Sequence, residues 1–151
     1  MEIKMSLAKN IIEAMKFIEA NDVKFIRLQF CDLFGQNRNI AITAMQMERA
    51  LASGIPFDAS LVIGFPESRD TDLVLFPDIS TIQLLPWRPQ QGKVARILCD
   101  IRYPNGDIFE ADSRYILKRT LERAEALGYQ FKISAECEFY LFKQDENGDP
   151  T

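Results

Sequence analysis

VARILCDIRY, residues 94–103, is the strongest strand signal in this sequence and the expected centre of its sheet. It is dense in β-branched and apolar residues, and PNGD (104–107) behind it reads as a tight hairpin turn. Ahead of it, RPQQG (88–92) reads as a turn, and TIQLLPW (81–87) and LVLF (73–76) as further strands. Residues 53–72 are rich in Gly, Pro, Ser and Asp without a stable period, which predicts a long loop. VKFIRLQF (23–30) alternates as a strand does. DLFGQNR (32–38) turns around Gly35, and NIAI (39–42) returns as the hairpin partner. Leu7, Ile11, Met15 and Ile18 recur at helical steps behind a capping Ser6, predicting a helix over 6–20. Thr43 opens a short helix, 44–52, that ends before Gly54. Past the hairpin, Asp112 or Ser113 caps a helix over 113–127, closed by Gly128. YQFKISAECEFYLFKQ (129–144) reads as a long final strand, and DENGDPT (145–151) as a polar turn.

This order predicts an α+β chain, with a mixed sheet and a packed helix over residues 1–105. The helix and strand of 113–144 begin a second unit. A sequence that stops just after a long apolar strand and a turn reads as the first part of a longer one. Length agrees, since 151 residues hold one ordinary domain, or a small one and part of another. The net charge of −4 and the scattered Lys and Arg argue against a nucleic-acid surface. No run of about 18 apolar residues is present to form a membrane-spanning helix, and MEIKMSLAKNIIEAM lacks a signal peptide's apolar centre. Cys31, Cys99 and Cys137 are odd in number and far apart, the pattern of reduced thiols in a cytoplasmic protein. Without histidine, no His-based triad or zinc site can be completed within these residues.

SAECEFYLF (134–142) sets two glutamates into an apolar run. In a strand, Glu136 and Glu138 project from one face with their backbones roughly 7 Å apart. Two neighbouring carboxylates repel, so a positive partner is expected, and hard oxygen donors suit Mg²⁺ or Mn²⁺. The plain alternative is a solvated strand face. QQGK (90–93) lacks the glycine a phosphate-binding loop needs five residues before Gly92, where Trp87 stands, so a turn is the better reading. Asp58 in IPFDAS and the acids of RDTD (69–72) are by themselves ordinary loop acids.

Taken together, FDAS, LVLFPDIST, LPWRPQQGKVARILCDI, YPNGDIFEADSRYILKR and SAECEFYLF closely resemble the N-terminal third of bacterial type I glutamine synthetases, from about residue 6 to residue 151. The resemblance implies a β-grasp domain over 1–105 and the beginning of a catalytic domain over 106–151. It implies ATP-dependent joining of ammonia to glutamate through γ-glutamyl phosphate, in a ring-shaped homo-oligomer, a dodecamer at full length. The active site would lie between the N-terminal domain of one subunit and the catalytic domain of its neighbour. Under this resemblance Glu136 and Glu138 each ligate a divalent ion, Mg²⁺ or Mn²⁺, beside the ATP phosphates. Asp58 matches the aspartate that binds and deprotonates ammonium, and Asp72 a second aspartate near that site. Phe65 matches in kind an aromatic near the nucleotide. The family's Gly-Ser-Ser after the loop aspartate is here Ala59-Ser60-Leu61, which removes a permissive backbone position. Two other readings stay open: a non-catalytic β-grasp binding or regulatory module, and a γ-glutamyl ligase that uses an amine. On the ammonia reading the 151-residue chain alone is inactive.

Overall fold

The structure, a computed structural model, describes residues 2–60, 62, 72–87 and 92–151, with backbone only for 2–8 and 10. It divides into two compact units, Met1–Thr120 and Leu121–Thr151.

The first unit is built on six strands: β1 (Val23–Cys31), β2 (Asn37–Thr43), β3 (Ile55–Asp58), β4 (Asp72–Pro77), β5 (Gln83–Leu84) and β6 (Lys93–Arg102). Their order is β2-β1-β6-β4-β3, with β5 also paired to β6. Strand β6 is central as expected, parallel to β1 and antiparallel to β4 and β5. Its alternate residues Ala95, Ile97, Cys99 and Ile101 are all buried, and Leu28 of β1 stands in register with Ile97. This two-residue period puts one face of the sheet into the core.

The β1–β2 turn is organised by Asp32, which is buried. Its carboxylate accepts from the Phe34 and Gln36 amides at 3.0 and 2.9 Å and from Arg38 Nε at 3.1 Å. Gly35 takes the positive φ of 78° that the turn requires.

Helix α1 spans Glu2–Ala20 and therefore starts ahead of Ser6, which lies inside it and does not cap it. Glu2, Ile3, Lys4 and Met5 tolerate helix well enough to extend it. Its core side is Ile11, Ala14, Phe17 and Ile18, while Met15 is exposed. At about 100° per residue, Met15 falls roughly 90° from the centre of that stripe. A 3₁₀ turn, Ala44–Gln46, leads into α2 (Met47–Ser53), which buries Met47, Ala50 and Leu51.

Two strand expectations change in the first unit. Residues 55–58, read as loop because of their Pro and Gly neighbours, form β3 against β4. Pro56 is tolerated there because β3 is an edge strand. Conversely, most of 81–87 is not strand. The Asp78 carboxylate accepts from the Ser80 amide (3.1 Å) and hydroxyl (2.6 Å), and Thr81 Oγ1 donates to the Asp78 carbonyl at 2.7 Å. These local bonds stabilise a 3₁₀ turn, Ile79–Thr81, in competition with a ladder. Phe65, residues 69–71 of RDTD and 88–91 of the RPQQG turn lie outside the described residues.

Helix α3 (Ser113–Ala126) is tied to the sheet at its start. The buried Asp112 caps it, accepting from the Arg114 amide and from the Ile101 amide of β6, both at 3.1 Å. Arg114 bridges Asp78 and Asp100, and Lys118 Nζ reaches Asp100 at 2.8 Å.

In the second unit, the end of α3 is closed by Gly128 at φ 81°, with the Gly128 amide donating to the Glu125 carbonyl. Residues 129–143 form no ladder and are exposed, so the expected strand 129–144 is not formed. Only an isolated bridge joins Gln144 to Pro150, across a turn held by the Asp145 carboxylate. A strand takes its ladder from a neighbouring strand, and no strand among the described residues pairs with 129–143.

Candidate functional site

Asp58 is the last residue of β3 and Asp72 the first of β4. The antiparallel register places them directly opposite one another, the end of a series that pairs Ile55 with Leu75, Pro56 with Val74 and Phe57 with Leu73. Alternation turns Phe57 and Leu73 into the core and leaves both aspartates exposed on the other face. Directly opposed residues in such a ladder have Cβ atoms about 5 Å apart. The family resemblance set Asp72 near Asp58; the register puts the two face to face. Asp58 Oδ1 accepts the Ser60 amide at 2.9 Å, so the chain turns just beyond the strand.

Asp58 also lines an open cleft of about 370 Å³, together with Phe30, Arg38, Asn39, Ile40, Pro56, Phe57 and Val62. Its walls are β2 and β3, which stand at opposite edges of the sheet order, so the sheet is strongly curled. Across the gap, the rings of Phe30 and Phe57 lie 5.0 Å apart between centroids. Arg38 is held in the wall by Asp32 and by Gln36 Oε1 at 2.8 Å. Burial raises the Asp32 pKa, but the Gln36 amide, Arg38 and the Phe34 amide outweigh it and hold the carboxyl below its ordinary value. Sequence reasoning passed over Asp32 and Arg38. Their signal was an acid six residues ahead of an arginine across a Gly-centred turn.

Glu136 and Glu138 lie in the second unit, exposed, in the stretch without a ladder. The rigid strand that would make their carboxylates parallel is therefore not formed. Among the described residues, no three His, Cys, Asp or Glu side chains come together to hold a metal ion. The two glutamates have the hard oxygen donors that divalent cations prefer, but two carboxylates alone are too few to close a site. Cys99 is buried, with its thiol pKa pushed far up by burial, and Cys31 and Cys137 are exposed and free.

Comparison with known proteins sets this geometry in a family. Residues 22–104 match the family model of the glutamine synthetase β-grasp domain, and residues 110–151 that of the glutamine synthetase catalytic domain. The chain is 47% identical over 139 residues to the glutamine synthetase of Clostridium saccharobutylicum, covering 92% of this chain and 31% of the relative. It is 44% identical over 148 residues to that of Methanosarcina mazei, covering 98% and 32%. The chain thus spans about a third of the length of the curated relatives it matches. Among solved structures, Plasmodium falciparum glutamine synthetase superposes with a TM-score of 0.69 at 26% identity, over 78% of this chain and 23% of that one. A GmaS/ADP complex shares the fold with a TM-score of 0.68 at 24% identity, over 76% of this chain and 26% of its own. The curled β-grasp sheet and both matched segments show that this chain belongs to the glutamine synthetase family.

Proposed function

We propose that the chain is the N-terminal part of a glutamate–ammonia ligase, with a β-grasp domain over 1–105 and the start of the catalytic domain over 106–151. In this reading its share of the reaction is an ammonium site on Asp58 and Asp72. The observation that carries it is their cross-strand register. Two opposed carboxylates offer a small cation acceptors on both sides, and NH₄⁺ has the charge and the protons to donate to them. The Asp58 carboxylate then takes one of those protons, leaving NH₃ as the nucleophile for the activated γ-carboxyl of glutamate. A bulky amine gains less from two acids so closely set. Glu136 and Glu138 would contribute carboxylates to the divalent ions, Mg²⁺ or Mn²⁺, that the family uses with ATP. Such ions, when bound, neutralise phosphate charge and polarise the phosphoryl group being transferred. Assembly into a homo-oligomeric ring, with the Asp58 segment serving a neighbouring subunit, belongs to the same proposal.

The test uses the full-length protein. Asp58→Asn keeps the size of the side chain but removes the charge, so the apparent KM for ammonia rises steeply while those for ATP and glutamate move little. An unchanged ammonia KM would remove the ammonium site from Asp58. For assembly, Asp58→Asn subunits mixed with subunits lacking Glu136 and Glu138 should regain part of the activity. No recovery in verified mixed oligomers would mean that Asp58 serves its own chain.

A further inference from the structure

The register that opposes Asp58 to Asp72 has to be set somewhere, and Gly54 stands at the joint. It ends α2, its amide donating to the Ala50 carbonyl at 3.0 Å, and β3 starts at the next residue. Its backbone lies at φ 71°, ψ 178°, a conformation essentially reserved for glycine. It is buried, and the space where a side chain would begin is taken. A Cβ there would meet Val74 Cγ1 at 2.4 Å, the Leu75 carbonyl oxygen at 3.0 Å and Phe76 Cε2 at 3.1 Å. All three belong to β4, the strand that carries Asp72. Val74 can turn aside, but the Leu75 carbonyl is backbone and cannot.

We propose that Gly54 is the positioning residue of the Asp58–Asp72 pair: its missing side chain lets β3 lie close against β4 so that the two carboxylates share one cation. The inference rests on the ammonium-site reading and adds to it the residue that sets the separation. Asp58 is four residues along β3 from Gly54, roughly 13 Å at strand rise. A tilt of about 10° at the joint therefore moves Asp58 by about 2 Å, enough to open the pair beyond a single small ion. Gly54 itself touches no substrate in this account.

The test has two arms. In the full-length enzyme, with ammonium chloride as the varied substrate, Gly54→Ala should raise the ammonia KM about tenfold or more, leaving the KM values for ATP and glutamate within about twofold. Simple loss of folded enzyme would lower kcat and leave all three KM values alone. Adding Val74→Ala frees the nearest collision and should recover part of the ammonia KM. That double variant also serves if Gly54→Ala alone fails to fold. The second arm reads the separation without catalysis. In a Cys31→Ser, Cys137→Ser background, Asp58→Cys with Asp72→Cys should close a disulfide readily, since opposed antiparallel residues lie within bridging distance. Gly54→Ala should slow that closure at least several-fold. An unchanged ammonia KM in Gly54→Ala, alongside a raised one in Asp58→Asn, overturns the role of Gly54 and leaves the ammonium site standing. If neither variant moves it, both ideas fall. Disulfide closure at the same rate with alanine at position 54 also overturns the proposal.

Discussion

Strand β6 and the stretch 129–142 carry similar sequence and meet different surroundings. Ile97, Cys99 and Ile101 of β6 are buried between β1 on one side and β4 and β5 on the other. Phe131, Ile133, Phe139, Leu141 and Phe142 are comparably apolar, yet every one is exposed, Ile133 to 85%. Alternating apolar residues state a preference for extended backbone. The ladder itself needs a neighbour's amides and carbonyls, and the apolar face needs a surface to cover. The first unit supplies both for β6. Helix α3 tells the same story, since none of its residues is buried although Ile116, Leu117 and Leu121 are apolar.

The largest expected effect breaks the comparison at its buried end. Ile97 is fully buried, so Ile97→Ala should cost about 2–5 kcal/mol in urea unfolding through lost burial and the cavity left behind. In the same chain Phe139→Ala, at an exposed position, should change stability by less than about 0.5 kcal/mol. Equal costs would mean that 129–142 is packed after all.

A middle-sized effect sits where α3 meets the sheet. Asp112→Ala leaves the Ile101 and Arg114 amides without their acceptor, and should cost about 1–3 kcal/mol. Asp112→Asn retains an acceptor oxygen and should cost less. Burial, and secondly the charge of Asp100, raise the Asp112 pKa against the pull of its two amide donors. Its contribution is therefore present at low pH and lost as pH rises through the folded value.

Asp32 gives a smaller effect of opposite sign. Its folded pKa is below the ordinary 3.8, so its contribution is present above that pH and lost as pH falls through the folded value. Asp32→Asn should therefore flatten the acid side of the stability–pH curve, as read by thermal unfolding between about pH 5 and pH 2. An unchanged acid limb would show that the carboxylate is not the group that organises the β1–β2 turn. The smallest effect belongs to Glu136→Gln and Glu138→Gln, which should leave the stability of this chain unchanged, since both side chains are exposed. In the full-length protein each should lower activity and raise the Mg²⁺ concentration needed for it. Unaltered magnesium dependence would separate the two glutamates from the metal.

Much of the fold was legible because the signals were local. Alternation announced β1 and β6, Gly35 and Gly106 marked their turns, and Asp112 announced α3. What stayed hidden depended on partners distant in sequence. Strand β3 has only Ile55 and Phe57 on its inner side, too short a run to reveal a period, and its pairing with β4 crosses the intervening segment. At the site, Asp58 and Asp72 were recognisable through family resemblance. Their face-to-face register and the part played by Gly54 required the ladder. For 129–144 the error ran the other way: the sequence displayed a strand's pattern and could not display whether a neighbour was at hand.

Amide hydrogen exchange on the 151-residue chain tests this contrast most directly. The account predicts that amides of 94–101 exchange only through the slowest openings of the first unit, while those of 129–142 exchange at nearly unstructured rates. Protection of 129–142 equal to that of 94–101 would contradict it, because the second stretch would then have found its partners within this chain.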